Sequence, residues 1–455
     1  MRRSYFYLLS CCVLAAFVAV SCDANKGRLA VEDGIEQTED QPGAGEQVET
    51  DNNDAGYNFY AEGAPSVMSA DDQKKVAAVN SFAFSFANEL QKKEGNGSFV
   101  FSPVSLGCLL GMLSEGADGE SRAEICNALG FDASDQAGIN EFFRNLIVLS
   151  AAAEGTTEEL SMANVVVADN HFSFVEQFKQ NIAGYYDGGF KNMDFSDGKA
   201  VADFVNGWAA QHTNGRINKV VDEVHGVLCL ANALYFKGNW SYPFFKEATS
   251  DKLFTAADNT TRQVKMMYKR DDATGAIQYC DMGDFRMVNL KYGNPAERSH
   301  RYSISVLLPG QGKTVEDVLS GLTAESWASS QEKVRAEYVN LSLPSFCTDS
   351  NIDSDNLKIL LGNMGIKQVF DPQRADFSNL TAADVYVEII KHLANISVDE
   401  DGTEAAAVSF ASLDFTSPGP GAEQPQYIEF NCNRPFVYAI SDSRTGAILT
   451  LGCYR

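Results

Sequence analysis

The sequence predicts an α+β fold built around large β-sheets. Residues 71–150 carry apolar side chains at helical spacing, as in "VAAVNSFAFSFANEL". Beyond about residue 160 the chain changes to many short β-rich runs with helical segments between them. No Pro/Gly-rich linker divides this part of the sequence, so we expect helices and sheets to share one large domain.

The helices are predicted from apolar periodicity and from residues that start or stop helices. The first helix is indicated by Val76, Val79, Phe82, Phe86 and Leu90, and "GNGS" ends it. Ser102-Pro103 begins a second helix, which Gly116 closes, and a third runs to Leu129-Gly130. A later helix, "KAVADFVNGWAAQHTNGRI", ends at Asn214-Gly215.

The strand candidates differ in how deeply they should be buried. "GVLCLANALYFKGNW" is almost entirely apolar, which predicts a strand covered on both faces. Further strand candidates are "LSMANVVVAD", "RQVKMMYKR", "FRMVNLKYG", "YSISVLLPG", "AEYVNLSLPSF", "VYVEIIKHLANISVDE", "QYIEFNCNRPFVYAISD" and "GAILTLGCYR".

The first 21 residues are predicted to be a signal peptide outside the folded domain. "MRRSYFYLLSCCVLAAFVAVSC" joins two arginines to an apolar run and then small residues. Its end, from Ala19 to Cys22, resembles the lipobox of bacterial lipoproteins, although that pattern prefers Leu where this chain has Ala19. We therefore expect lipidation of Cys22 and a membrane anchor, since several acyl chains hold a protein on a membrane. The alternative is an ordinary secretory signal with an incidental cysteine.

Residues 22–70 are predicted to form an acidic flexible tether, and residues 71–455 the folded domain. The tether segment is rich in Gly, Gln and Asn and too poor in apolar residues to form a core. Over the whole chain, 61 acidic residues outnumber 36 basic ones, for a net charge of −25. This balance argues against a nucleic-acid partner. We expect a monomer in the cell envelope of a Gram-negative bacterium, anchored to either face of the outer membrane.

The cysteines and histidines do not form a recognisable metal or catalytic motif. Seven cysteines follow the proposed lipid site, with no C-x-x-C among them: Cys108, Cys126, Cys229, Cys280, Cys347, Cys432 and Cys453. Most are expected to be small buried apolar residues, and whether any of them pair is open. No metal and no cofactor is expected.

Catalytic motifs are also missing from the sequence. It contains no G-x-S-x-G, H-E-x-x-H or G-x-x-x-x-G-K-[ST] pattern. His392 lies within the strand candidate 385–398 and is interpreted as a buried, hydrogen-bonded structural histidine. The chain is therefore not expected to be an enzyme.

Eight or so segments, in order along residues 74–455, resemble the serpin family of protease inhibitors. The first are "FSPVSLGCLLGMLSEGADGESRAEICNALGF", "VNGWAAQHTNGRI" and "LANALYFKGNWSYPF". "VKMM", "LPSF", "MGIKQVFDPQRADFS", "KHLANISVDEDGTEAAA" and "FNCNRPFVYAISD" follow in the family's order. A single such motif is weak evidence of a resemblance to the family, but eight or so in the family's order are specific to it.

The resemblance implies a fold of three β-sheets with eight or nine helices and an exposed reactive loop, here at about 400–426. It also implies inhibition by a suicide-substrate mechanism. A protease cuts the loop and forms an acyl-enzyme, the loop inserts as a strand into the main sheet, and the attached protease is distorted. Serine proteases are the expected targets, with papain-like cysteine proteases as a further target class.

The resemblance assigns site residues in two groups. Its hinge, where the loop leaves the sheet, corresponds to Glu400, Gly402, Thr403, Glu404, Ala405, Ala406 and Ala407. The residues that control opening of the main sheet correspond to Ser102, Ser105, Asn232 and His392 at its centre and Trp240 near its top. Taken alone, Thr403 also fits a helix N-cap, with Glu404 in the first turn.

The composition of the loop favours insertion. Strand alternation places Thr403, Ala405, Ala407, Ser409 and Ala411 on one face, and all of them are small. Insertion of about 14 residues after Gly402, at ~3.3 Å each, places the cut after Thr416 and before Ser417. Phe415 is a second candidate and Leu413 a third. Elastase-like, subtilisin-like or chymotrypsin-like proteases are the expected partners. The alternative function is a non-inhibitory surface lipoprotein on the same scaffold, which binds a ligand instead of a protease.

Overall fold

The structure, a computed structural model, describes residues 67–150, 158–296, 300–403 and 425–455, together with the backbone of residues 12–22. Helices gather in the first third of the described chain, and strands dominate the rest. The α-helices are α1 (Ala70–Glu94), α2 (Pro103–Gly116), α3 (Gly119–Leu129), α4 (Gln136–Ser150), α5 (Glu176–Tyr186), α6 (Gly198–His212), α7 (Val315–Gly321), α8 (Ala324–Lys333) and α9 (Ser354–Asn363).

The strands alternate with these helices along the chain. The first nine are β1 (Cys12–Cys22), β2 (Phe99–Phe101), β3 (Glu159–Asp169), β4 (Gly188–Met193), β5 (Leu228–Asn239), β6 (Ser250–Thr255), β7 (Thr261–Asp272), β8 (Gln278–Asp281) and β9 (Phe285–Lys291). The others are β10 (Tyr302–Pro309), β11 (Arg335–Ala336), β12 (Tyr338–Pro344), β13 (Phe346–Ile352), β14 (Val385–Val398), β15 (Gly402–Thr403), β16 (Ile428–Asn431), β17 (Phe436–Asp442) and β18 (Ile448–Tyr454).

The described strands form three sheets. The main sheet has the order β13-β14-β1-β5-β3-β4, and the short β15 pairs with the upper end of β5. The second sheet has the order β11-β8-β9-β10-β17-β18-β2, and the third has the order β16-β12-β7-β6. The predicted α+β fold with three sheets and eight or nine helices is confirmed.

The strand β5 is covered on both faces, as its apolar sequence predicts. Leu228, Leu230, Leu234 and Phe236 belong to the larger core, which includes α1 and α2. Cys229, Ala231, Ala233 and Tyr235 belong to a smaller core with Val201, Val205 and Trp208 of α6. Successive residues of β5 thus face opposite cores, as strand geometry requires, and β5 is fixed in the middle of the molecule.

The second sheet joins distant parts of the sequence. Phe101 of β2 lies opposite Leu451 of β18, and β18 in turn pairs with β17. The pairing brings residues near the start of the folded domain against residues near position 450.

The N-terminal segment differs from its prediction. In the full-length chain, residues 12–22 form β1, an antiparallel strand between β14 and β5, whereas we expect this segment to lie outside the fold. An uncharged chain segment flanked by two strands satisfies its backbone groups on both sides, which is a physical reason for this pairing. Removal of residues 1–21 as a signal peptide stays a prediction.

The folded domain also begins slightly before residue 71. Met68 is buried in the larger core, and the Ser69 hydroxyl caps α1 by accepting a hydrogen bond from the Asp72 amide. Residues 23–66 of the predicted tether lie outside the described part of the chain.

Candidate functional site: the upper end and centre of the main sheet

The segment that follows β14 turns back onto the upper end of β5. The Asp399 amide donates to the Gly402 carbonyl at 3.0 Å, which closes a tight turn. Gly402 and Thr403 then pair with Asn239 and Gly238 of β5. Thr403 therefore lies in a short strand. The residues of a helix that Thr403 would cap lie outside the described part of the chain.

Gly402 occupies a position that other residues resist. Its φ angle is +153°, and a Cβ atom there would lie 2.2 Å from the Gly238 carbonyl oxygen. Such backbone is strained for an L-residue, and the approach of β5 leaves no room for a side chain. Close pairing of the hinge with β5 therefore requires glycine.

Thr403 is fully buried beneath an aromatic pair. Its hydroxyl lies 2.8 Å from the Tyr292 hydroxyl, and Tyr292 stacks on Trp240 with ring centroids 4.5 Å apart. The Trp240 indole N–H donates to the Asp399 carbonyl at 2.8 Å. Trp240 thus lies at the top of the main sheet, where the resemblance assigns it, and contacts the hinge directly.

Polar contacts on the outer side hold two of the three acidic residues of the turn, Asp401 and Glu400. The Lys246 ammonium lies 2.6 Å from Asp401, with side chains 57% and 22% exposed respectively. The Thr249 hydroxyl donates to Glu400 at 2.6 Å. Both partners of this turn come from the loop that follows β5, so a single short segment anchors the hinge.

The Asp399 carboxylate stabilises the turn by accepting hydrogen bonds from its backbone. It accepts from the amides of Asp401 at 2.9 Å and Gly402 at 3.2 Å. Burial raises the pKa of Asp399, which the neighbouring charges of Asp401 and Glu400 also favour, although the two amide hydrogen bonds oppose the shift. The turn concentrates negative charge at the point where the loop begins.

At the centre of the sheet, two serines start α2. Ser102 is the N-cap, and its hydroxyl accepts from the Ser105 amide at 3.1 Å and donates to the Leu449 carbonyl at 2.7 Å. Capping by serine followed by Pro103 is a typical helix start, which the sequence predicts. The hydroxyl also ties the helix to the second sheet.

Asn232 of β5 lies directly above this helix start. Its carboxamide oxygen accepts a hydrogen bond from the Ser105 hydroxyl, and its amide nitrogen donates to Asn164 at 2.7 Å. Asn164 in turn donates to the Tyr186 carbonyl at 2.5 Å. These residues form a neutral, buried network between β5, β3 and α2.

His392 of β14 joins the same helix start from the other side. Its Nε2 accepts from the Ser102 amide at 3.0 Å, so in the neutral ring the proton is on Nδ1. Complete burial lowers the pKa of His392 to about 3, and Nδ1 has no hydrogen-bond partner among the described residues. The predicted buried, hydrogen-bonded histidine is confirmed.

The structure therefore brings the predicted site residues together in two groups. Ser102, Ser105, Asn232 and His392 meet at the centre, while Trp240, Glu400, Gly402 and Thr403 meet at the top. The backbone of Cys22 is at the lower end of β1, opposite Val385. The remaining predicted residues, Glu404, Ala405, Ala406, Ala407, Leu413, Phe415, Thr416 and Ser417, lie outside the described part of the chain.

Sequence reasoning missed several residues that complete the site. Asn164 is a single amide within an apolar strand, and that polar interruption is the signal that could have identified it. Tyr292, Lys246 and Thr249 reach the hinge only through tertiary contacts, and nothing local in the sequence marks them.

The described residues show neither a metal centre nor a membrane-spanning helix. No group of three or more His, Cys, Asp or Glu side chains among them is placed to hold a metal ion. Among the same residues, no helix is both long enough and apolar enough to cross a membrane. Of the seven cysteines from Cys108 to Cys453, six are buried and Cys347 is exposed, and none of the seven forms a disulfide. The prediction that most are buried is confirmed.

The chain is similar to known proteins over the whole folded domain. The family model described as serpin (serine protease inhibitor) matches residues 77–455. An uncharacterised serpin-like protein of Thermococcus kodakarensis is 32% identical over 83% of this chain and 84% of its own length. Neuroserpin of Gallus gallus is 30% identical over 80% and 87%. The crystal structure of human thyroxine-binding globulin complexed with its hormone matches with a TM-score of 0.71 and 25% identity, covering 84% of this chain and 98% of that one.

Proposed function

The chain belongs to the serpin family, most of whose members inhibit serine proteases, and we propose that it is itself such an inhibitor. The observation that carries the proposal is the hinge at the top of the main sheet. Gly402 and Thr403 already pair with β5 as the first residues of an added strand. A loop that continued in this direction would extend the sheet, which is the motion that traps a protease.

The covalent step uses the chemistry of the target protease. The serine oxygen of the protease attacks the carbonyl carbon of the residue before the cut, and its proton passes to the catalytic histidine. An ester bond to Thr416 forms, and the peptide bond to Ser417 breaks, with Ser417 leaving as a free amine that takes up the proton. Inhibition requires the loop to insert before water hydrolyses this ester.

The buried position of Thr403 supports rapid insertion. Its side chain is fully buried beside Tyr292, so the face of the added strand that Thr403 starts points into the protein. The residues that share its alternation, Ala405, Ala407, Ser409 and Ala411, are all small. Small side chains enter a narrow gap with little displacement of the neighbouring strands.

A gel assay tests the proposal. The protein without residues 1–21 is mixed with elastase, subtilisin, chymotrypsin and papain, and the products are separated under denaturing conditions. We expect an SDS-stable covalent complex with at least one of the three serine proteases. Cleavage of the loop without such a complex in every serine-protease mixture would sink the proposal.

Mass spectrometry of the released C-terminal peptide identifies the cut bond. We expect cleavage after Thr416 with elastase-like or subtilisin-like enzymes, or after Phe415 with chymotrypsin-like ones. The segment between Lys391 and Arg434 contains no Lys or Arg. Trypsin therefore serves as the negative control, for which no complex is expected.

The second candidate function is a non-inhibitory surface-binding lipoprotein. The similarity to human thyroxine-binding globulin, which is complexed with thyroxine in its structure, supports this second candidate. The two functions differ in the stability of the cut protein. An inhibitor gains stability when the cut loop inserts, whereas a rigid carrier does not, so the Tm before and after loop cleavage distinguishes them.

We also place the protein on a membrane of the bacterial cell envelope through lipid on Cys22. The Ala19–Cys22 sequence supports this proposal, and the acidic segment 22–70 supplies a spacer between the anchor and the folded domain. Intact-mass measurement of protein purified from membranes tests it. We expect an acylated chain that begins at Cys22, and expect C22S to abolish both acylation and membrane association.

A further inference from the structure

The main sheet contains a slot that holds one strand, and the chain's own N-terminal segment fills it. The 11-residue strand β1 is antiparallel to β14 on one side and to β5 on the other. No direct pairing joins β5 to β14 among the described strands. Residues 12–22 therefore pair with the inner edge of β14 and with residues 228–236 of β5, while Gly402 and Thr403 pair with β5 farther up.

The register of β1 coincides with that of the hinge strand. Thr403 lies opposite Gly238, and a strand that continued in this register would bring position 404 opposite Lys237 and position 405 opposite Phe236. Phe236 is already the partner of Cys12, the first residue of β1. The two segments run in the same direction along β5, and the hinge strand has room for only one further residue before it meets β1.

The segment suits an interior strand position. Residues 12–22, "CVLAAFVAVSC", contain no charged residue, so an interior position in a sheet leaves no charge of this segment without a partner. Residues 228–236 of β5, along which β1 lies, are all buried. Backbone pairing on both sides satisfies the amides and carbonyls of β1 that the interior would otherwise leave without partners.

The strand also passes through the centre of the predicted site. Ala16 lies opposite Asn232 on β5 and opposite His392 on β14. The backbone of Ala16 therefore lies between Asn232 and His392 in the sheet, while Ser102 and Ser105 at the start of α2 join the two residues by hydrogen bonds. Nδ1 of the fully buried His392 has no partner among the described residues.

We propose that the slot between β5 and β14 is a binding site for residues 12–22 of the same chain, and that the unprocessed chain is thereby unable to insert its loop. This second part rests on the proposed inhibitory function. Both segments need the same edge of β5, so they exclude one another. Removal of the N-terminal segment, in addition to exposing the lipid site, would then activate the inhibitor.

Hydrogen exchange tests the binding without reference to proteases. Full-length protein is compared with the full-length A16P variant, since proline removes an amide hydrogen and is poorly tolerated in an interior strand. A30P, in the predicted tether, is the matched control. We expect the amides of residues 13–22 to exchange at least about 100-fold more slowly in the wild type and A30P than in A16P. Exchange of these amides at the rate of an unstructured peptide in the wild type would overturn the proposal.

A protease assay tests the exclusion separately. We expect A16P, and protein that begins at Cys22, to form several-fold more SDS-stable complex than the full-length wild type and A30P. Equal complex formation by all four, with residues 13–22 protected, overturns the exclusion. If none of the four forms a complex while residues 13–22 are protected, the inhibitory function fails and the binding site stands.

Discussion

The top and the centre of the main sheet are held by different kinds of interaction. At the top, the outer side of the hinge is anchored by a half-exposed ion pair between Lys246 and Asp401 and by acidic side chains that accept hydrogen bonds, and the Thr403 side chain is buried against Tyr292. At the centre, Ser102, Asn232 and His392 are fully buried and neutral, and they bind one another or the backbone.

This difference indicates which end of the sheet opens with the smaller loss of interaction free energy. Exposed ion pairs contribute about 0–1 kcal/mol each, and water replaces their partners when they separate. A buried hydrogen bond that is broken without replacement costs about 1–3 kcal/mol. Strand insertion should therefore begin easily at the hinge, and the buried centre should set the resistance to its progress.

The largest effect is expected from T403R, which places a charge where the hinge is fully buried. Burial of an unpaired guanidinium beside Tyr292 is too costly, so the variant should be cut as a substrate instead of trapping the protease. We expect the number of inhibitor molecules consumed per trapped protease to rise at least about tenfold. T403S, which keeps the hydroxyl, should inhibit normally. Unchanged inhibition by T403R would show that Thr403 does not enter with the loop.

The next effect is expected from G402A. The added Cβ would lie 2.2 Å from the Gly238 carbonyl oxygen at a φ of +153°, so the pairing with β5 must shift. We expect the free energy of unfolding to fall by about 3 kcal/mol, from combined overpacking and backbone strain. G207A is the matched control, because nothing lies within 4 Å of its new Cβ, and it should stabilise α6 slightly. Urea unfolding of both variants measures the difference.

His392 at the centre and Asp399 at the top should contribute pH dependences of stability with opposite signs. The folded-state pKa of His392 is lowered to about 3, so between about pH 6.5 and pH 3 the unfolded chain binds a proton that the folded protein does not. Stability should therefore fall by about 2 kcal/mol between pH 7 and pH 5 through this residue. We expect H392Q to lose that part of the slope in urea unfolding.

Asp399 should act in the opposite direction at the top of the sheet. Its pKa is raised in the folded state, so its contribution is largest at low pH and is lost as the pH rises through the folded value. D399N keeps an oxygen acceptor for the amides of Asp401 and Gly402 and removes the titration. We expect D399N to steepen the loss of stability with acid, and a flatter profile would contradict the comparison.

The smallest effect is expected from K246A. The Lys246 side chain is 57% exposed, so the loss of its ion pair with Asp401 should lower the free energy of unfolding by less than about 1 kcal/mol. The loss should shrink as salt is added, because exposed charges are screened. K219A, which breaks an exposed pair with Asp222, should behave in the same way. A loss of several kcal/mol in K246A would show that the hinge is not the weaker end.

Local sequence patterns were enough to predict most of the fold. The Ser102 cap, the two-sided burial of β5 and the strand containing His392 follow from capping chemistry, apolar runs and alternation. Short strands such as β2 and β11 were not predicted, because two or three residues carry no periodicity. Thr403 was ambiguous between a helix N-cap and a strand, and its place in a strand follows only from its long-range pairing with Gly238 of β5.

The site was less predictable because its contacts are long-range. Tyr292 meets Thr403 across 111 positions of sequence, and no local pattern encodes such a meeting. The N-terminal segment shows the same limit. An uncharged apolar run is compatible with a signal peptide and also with an interior strand of the main sheet. Its composition therefore does not predict the pairing with β5 and β14.

The pairing of β2 with β18 also sets the shortest time in which the second sheet can be completed during synthesis. Phe101 and Leu451 are partners in the second sheet, and 451 minus 101 leaves 350 residues to be synthesised between them. At about 5–20 residues per second, this takes roughly 20–70 seconds. During that interval the second sheet is incomplete, while the N-terminal segment has already left the ribosome. Processing that acts within this interval would remove residues 12–21 before the slot exists, and slower processing would meet a folded chain with the slot already filled.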